Sequence, residues 1–207
     1  MSTEQTGPQE TKGNMNDARL RQHDPSQGRS RLNLIDEKQM TPDKDAAIRQ
    51  LLCACFPEDV AVFSQTRYWH GSGPEFSLTE ESQGNVVGHI GIVVREVNCG
   101  GNPLRIAGVQ NLAVAPKLRG TGLGGQLVSQ SMAEAKRRGL KYGLLFCIPE
   151  LRKFYGSLDW FTLDVDVTMR DEQGAKAALP AKNICMATCL DSAAFPHGDI
   201  DLQGADW

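Results

Sequence analysis

The stretch RGTGLGGQLV, Arg119 to Val128, carries four glycines between Gly120 and Gly125. It follows the apolar run VQNLAVAP and opens a segment of helical periodicity. Strand, glycine turn and helix in immediate succession confine the chain to α/β architectures in which a backbone turn meets an anion. Glycines let the main chain approach a diphosphate closely, and the free N–H groups at a helix start carry partial positive charge. Two nucleotide-binding patterns fit. Gly120, Gly122 and Gly125 satisfy the dinucleotide fingerprint G-x-G-x-x-G, whereas Arg119, Gly122 and Gly124 satisfy the R-x-x-G-x-G pattern of acyl-coenzyme A binding.

The surrounding residues separate the two. A dinucleotide site needs an acidic residue about 20 positions further on to hold a ribose hydroxyl. That place is taken by LKYGLLFCIP, and no acid follows until Glu150, beyond a proline. The G-K-[ST] of a P-loop is absent, as are the H-R-D and D-F-G of a kinase. The acyl-coenzyme A pattern finds its context: a strand directly before the turn, Lys117 and Arg119 beside it, and an amphipathic helix with a further strand beyond.

A chain of 207 residues suits one domain with a tail. Residues 1–30 are rich in Gln, Gly, Pro, Ser, Asn and charge, and too poor in apolar side chains to offset the entropy of ordering, which predicts a disordered tail followed by a single domain over 31–207. RLNLID predicts a first strand. Thr41 as N-cap with Pro42 behind it predicts a helix through AAIRQLLCACF to Pro57. EDVAVFSQTRYW reads as short helical or irregular. FSLTEESQGNVVGHIGIVV reads as a hairpin about the turn SQGN, and a second turn at NCGGNP leads to LRIAGVQNLAV.

From Gly122 to Arg138 the apolar residues Leu123, Leu127, Val128, Met132 and Ala135 recur at helical spacing. Arg137, Arg138 and Gly139 close that helix. YGLLFCI reads as a buried strand, PELRKFYGSL as a short helix begun by Pro149, and DWFTLDVDVTM and KNICMATCL as two last strands.

At this point the chain resembles the GCN5-related N-acetyltransferase (GNAT) superfamily over roughly residues 31–170, with NLAVAPKLRGTGLGGQLV as its motif A and LRKFYGSLDWF as its motif B. The resemblance implies an α/β fold: a mixed, largely antiparallel central sheet of about six to seven strands, flanked by helices and splayed at the fourth and fifth strands. It implies acetyl-CoA as acyl donor. The backbone of Leu112, Ala113 and Val114 would pair with the pantetheine arm, and the turn Arg119, Gly120, Thr121, Gly122, Leu123, Gly124 and Gly125 would cradle the pyrophosphate. Tyr155 would stand near the thiol. Many relatives pair as homodimers, so a homodimer is compatible with the sequence.

More loosely, HIGIVVREVNCGGNPLRIAGVQNLAV and the closing Asp206 and Trp207 resemble aminoglycoside 2′-N-acetyltransferases. RYWHGSGPEFSL with GHIGIV resembles nodulation N-acyltransferases. The former group carries a glutamate on its fourth strand, thought to act through water. Gln110 occupies that position here, and an amide orients a water without taking its proton.

Acyl transfer from a thioester to an amine needs a neutral amine, a polarised carbonyl and a proton for the departing thiolate. Tyr155, protonated at neutral pH, suits the last role. Candidates for the base are His70, Glu75, His89 and Glu96, with a water chain to bulk solvent as the default. His70 lies in a glycine-rich, aromatic-flanked segment that could cover an acceptor, whereas His89 lies in an apolar strand where a core role is the commoner one. The expected activity is transfer of an acetyl or other acyl group from acyl-CoA to a primary amine of a small polar, amino-sugar-like acceptor by direct attack. The alternative is a non-catalytic module that binds or senses acyl-CoA.

Composition excludes other classes. With 22 Lys and Arg against 25 Asp and Glu, the net charge of −3 gives no field that would gather nucleic acid or an anionic membrane. No apolar run approaches the ~18 residues of a bilayer span, and the amino terminus lacks a signal-peptide pattern, so the chain reads as cytoplasmic. The six cysteines fall in no C-x-x-C pair or zinc spacing, so no metal is expected.

Overall fold

The structure is a computed structural model that describes residues 32–207. The tail expected over residues 1–30 lies outside the described residues. The chain opens with β1 (Asn33–Asp36), followed by α1 (Pro42–Cys55) and the single turn α2 (Val60–Phe63). Thr41 caps α1 as its spacing predicts, its hydroxyl accepting from the Lys44 amide at 3.3 Å with Pro42 in the first helical position. β2 (Phe76–Ser82) and β3 (Asn85–Cys99) form the expected hairpin. Its two-residue turn places both Gln83 and Gly84 at positive φ, the geometry that matches strand twist. A second hairpin leads into β4 (Asn102–Val114).

α3 (Leu123–Arg137) buries Leu123, Leu127, Val128, Met132 and Ala135, the stripe read from the sequence. It ends in a Schellman motif, with the Gly139 amide donating to Lys136 O and the Leu140 amide to Ala135 O. Then come β5 (Tyr142–Cys147), α4 (Arg152–Gly156), β6 (Phe161–Leu163), β7 (Val167–Arg170), β8 (Lys176–Ala178), β9 (Ile184–Cys189) and β10 (Ile200–Asp201).

Among the described residues the strands form one sheet of ten, in the order β6-β9-β5-β4-β3-β10-β7-β8, with β2 and β1 added on the amino-terminal half of β3. Only β4–β5 and β7–β10 are parallel, so the sheet is mixed and largely antiparallel, as expected. The strand count is larger than the six to seven expected. DWFTLDVDVTM is two strands rather than one: β6 pairs with β9 at one end of the sheet, and β7 pairs with β10 and β8 at the other. β8 and β10 are too short to leave a periodic signal.

The sheet separates two cores. α3 and α4 cover one face, where Ile90, Ile92, Val109, Leu127, Val128 and Met186 pack together. The other face is covered towards the start of β3 by α1, α2 and the loop 64–75, and further along by the segment from Phe195 to Trp207. No helix among the described residues is long and apolar enough to cross a membrane.

Candidate active site

The site begins where β4 leaves β5. The two strands pair in parallel only through Ala107–Gly143, Gly108–Leu144 and Val109–Leu145. One residue later the β3–β4 register slips: Gly91 faces Gln110 and His89 faces Ala113, so β4 carries one residue more than β3 in this interval. The extra residue is a bulge at Asn111, which takes a left-handed φ of 50° that Asn tolerates better than most side chains. Its side chain locks the bend, donating to Arg67 O and accepting from Trp69 Nε1, both at 2.9 Å. Beyond the bulge β4 diverges from β5 and opens a V. The Ala115 amide donates to Val87 O, so by strand alternation Ala113 also turns its backbone groups to β3, while Leu112 and Val114 direct theirs into the V.

At the wide end of the V lies the glycine turn. Gly120 and Gly122 have φ of 78° and 90°, and a Cβ at either would meet only open space, so conformation and not crowding demands glycine there. Gly124 sits closer, where a Cβ would touch Phe154 and Val114. The first amide bonded inside α3 is that of Gln126, to Gly122 O; the Arg119 and Thr121 amides donate to Pro116 O and Leu118 O, which leaves those of Gly120 and of Gly122 to Gly125 for a ligand. The first turn of α3 contains no acidic residue, and Lys117 and Arg119 stand beside it. An anion is the natural occupant. Arg119 Nε and Cys55 Sγ both donate to Val114 O, at 3.3 and 3.4 Å, and mark the inner rim.

α4 closes the helix-covered face and carries Tyr155, which is buried between Phe154 and Trp160. Burial, with Cys147 adding to it, raises the Tyr155 pKa well above that of a free phenol, so the hydroxyl keeps its proton. No protein partner among the described residues takes that proton in a hydrogen bond. Cys147 ends β5 close by, and burial pushes its thiol up to about 11. Cys185, on the neighbouring strand β9, is pushed up to about 12. Neither is a thiolate near neutral pH, so neither is a ready nucleophile.

The opposite face of the V is built by residues far apart in sequence. Gln110 donates from Nε2 to Ser72 O at 2.8 Å, while its Oε1 is buried without a partner. Ser72 donates in turn to Asp206 O and accepts from Arg95 Nη2. Arg95 also donates to Ala205 O and lies over the Trp207 ring, 5.4 Å from its centre. Burial lowers the Arg95 pKa and Asp206 opposes that shift. The Trp207 indole lies flat enough on Gly108 that a Cβ there would come within 2.4 Å of it, and its ring centre is 5.1 Å from Phe146. Trp207 therefore spans the root of the V. Beside it Asp206 Oδ1 meets His70 Nδ1 at 2.5 Å, with the His70 side chain 43% exposed and in a left-handed backbone conformation.

The structure thus places Leu112, Val114 and the turn Arg119–Gly125 along the V, Tyr155 on the face covered by α3 and α4, and Gln110, linked through Ser72 and Asp206 to His70, on the other face. Glu96 lies apart from these; it is exposed and faces Arg105 five residues, or about 17 Å, along β3 from the level of Gln110. Glu75 is exposed at the edge of β2. His89 is fully buried; its burial drops the imidazole pKa to about 4, with Arg67 contributing and a hydrogen bond to Asn111 O opposing. It is a core residue. Reading the sequence missed Asn111, Ser72 and Arg95. An Asn within an apolar strand is the one signal that could have found the first.

A family model described as an acetyltransferase (GNAT) domain matches residues 37–162. Among solved structures, the fold is similar to that of the GNAT family N-acetyltransferase YhbS of Escherichia coli in complex with CoA (TM-score 0.59, 18% identity, 84% of this chain and 91% of that one). It is also similar to a GNAT family acetyltransferase of Brucella melitensis in complex with acetyl-CoA (0.51, 21%, 83% and 96%). A third is an acyl-CoA N-acyltransferase of Pseudomonas aeruginosa (0.53, 17%, 76% and 98%). No curated protein matches the sequence.

Proposed function

The chain belongs to the GNAT acetyltransferase family, and on that premise we propose that it transfers an acetyl group from acetyl-CoA to the primary amine of a small polar acceptor by direct attack. The observation that carries this reading is the V between β4 and β5 with the acid-free start of α3 at its wide end. The fit is chemical: free amides with Lys117 and Arg119 suit a pyrophosphate, and the backbone of Leu112 with the N–H of Val114, turned away from β3, suits the amides of a pantetheine arm laid in as an added strand.

In this reading the amides of Gly120 and of Gly122 to Gly125 hold the pyrophosphate and the backbone N–H of Val114 polarises the thioester carbonyl. Tyr155 protonates the departing thiolate and regains a proton from the nitrogen of the collapsing adduct. The raised thiol pKa values of Cys147 and Cys185 support direct attack over an acyl-cysteine route. The acceptor arrives on the face opposite α3, past Gln110 and His70, where the polar lining suits an amino-sugar-like molecule.

A second reading, an acyl-CoA sensing module, is favoured by Gln110 standing where a carboxylate base would serve. One experiment separates the readings. Acetyl-CoA, but not NADH, raises the melting temperature under both. Thiol release from acetyl-CoA on adding glucosamine, kanamycin, spermidine or lysine occurs only under the first. Stabilisation without thiol release from any primary amine leaves the sensing module standing, and no stabilisation defeats both.

A further inference from the structure

We propose that His70, aligned by Asp206, takes the proton from the acceptor ammonium, so that the last residues of the sequence form part of the active site. The inference rests on the transferase reading above and deepens it.

The family's turn and tyrosine account for the donor and the leaving group, and they leave the amine without a base. On the face of the sheet that carries Gln110 and Trp207 one imidazole is held by a carboxylate: His70 Nδ1 lies 2.5 Å from Asp206 Oδ1, and Asp206 and Gln110 both bond Ser72. Nδ1 is thereby the protonated nitrogen, and Nε2 of this half-exposed side chain keeps its lone pair for a proton. Asp206 is itself fixed. Its carbonyl accepts from Ser72, the residue after it lies on Gly108 at the root of the V, and Arg95 faces it with a positive charge that keeps it from being an isolated anion. His70 is held in a left-handed conformation unusual for a residue other than glycine, and such strain persists only where surroundings enforce it. The 64–75 loop and the 205–207 segment join each other and Gln110 through Ser72.

The proton balance closes. The ammonium N–H bond breaks towards His70 Nε2, the freed lone pair forms the C–N bond, and the C–S bond breaks with its electron pair on sulfur. Tyr155 protonates that sulfur and is restored by the second N–H proton, while His70 releases its proton to solvent. Asp206 touches no reacting atom and is a positioning residue. Gln110 Oε1, an acceptor without a partner, is available to orient the amine or a water.

The test measures thiol release with whichever amine of the panel above gives the highest turnover. His70→Ala lowers kcat about 100-fold with the KM for acetyl-CoA unchanged, and imidazole added to the assay restores about tenfold of the loss. Asp206→Asn, which keeps a hydrogen-bond acceptor, lowers kcat about tenfold or more. As a readout independent of turnover, nitrogen NMR of the wild-type imidazole at pH 8 finds the Nδ1–H tautomer at His70, and Asp206→Asn shifts it towards Nε2–H. Undiminished kcat in His70→Ala, a loss that imidazole does not relieve, or an Nε2–H tautomer in the wild type overturns the dyad while leaving the transferase intact. No turnover by the wild type with any amine overturns both.

Discussion

Lowering the pH should destabilise the fold through His89 in a window set by its burial. The side chain is enclosed between β2, β4 and Arg67, with Nδ1 bonded to Asn111 O at 2.9 Å and Nε2 without a partner. A proton on Nε2 would be a second buried cation beside Arg67, and desolvation accordingly lowers the pKa from 6.5 to about 4. Between those values the unfolded chain binds a proton that the folded chain refuses, so stability falls as pH falls. The contribution is fully present above about pH 6.5 and fully lost below about pH 4.

At ~1.4 kcal/mol per pH unit, a shift of about 2.5 units amounts to about 3 kcal/mol, a large part of a typical domain's stability. The assay is urea unfolding from about pH 7.5 to 4, comparing wild type with His89→Asn, whose amide can still donate to Asn111 O. Acidic groups titrate in both proteins and cancel in the difference. That difference should move by about 3 kcal/mol against the wild type on acidification, at constant m-value. Parallel pH curves for the two proteins would show that His89 is solvated or protonated in the fold, and refute the reasoning.

Other expectations follow from the same contacts. Gly108→Ala forces the Trp207 ring away, since the new Cβ would lie 2.4 to 2.8 Å from three of its atoms; about 1–3 kcal/mol of stability is lost and tryptophan emission shifts to the red, and an unaltered spectrum would count against that contact. Gly122→Ala places a side chain at φ 90°, costing about 1–2 kcal/mol and weakening acetyl-CoA binding about tenfold by calorimetry; unchanged affinity would remove the turn from the ligand. Tyr155→Phe lowers kcat at least about 100-fold with little change in melting temperature, because the hydroxyl has no protein partner among the described residues to lose; a kcat within about twofold of wild type would discard the acid role.

Much of the donor side was legible in the chain. Thr41 and Pro42 start α1, Gln83 and Gly84 turn the first hairpin, and the stripe from Leu123 to Ala135 with Gly139 behind it delimits α3. Each is a decision between neighbours within a few residues, whose sterics and hydrogen bonds are written in local order. The glycine turn belongs to the same class, since conformation at Gly120 and Gly122 is a property of those residues.

The acceptor side is another matter. Which half of DWFTLDVDVTM joins which end of the sheet depends on partners some twenty to thirty residues away, β9 for one half and β10 for the other. Glu96 and His70 are comparable as candidate bases on paper, and only tertiary structure separates them: strand register sends the first to solvent, and the 64–75 loop brings the second to Asp206, 136 residues distant. The sequence by itself determined the glycine turn and the helix behind it, because short-range conformational preferences encode them, whereas Tyr155 was legible only through the resemblance of LRKFYGSLDWF to a family motif. Tertiary structure alone decided the V, through one extra residue at Asn111, and the seating of Trp207 and Asp206 across it. Those depend on long-range packing and register, which no local pattern records.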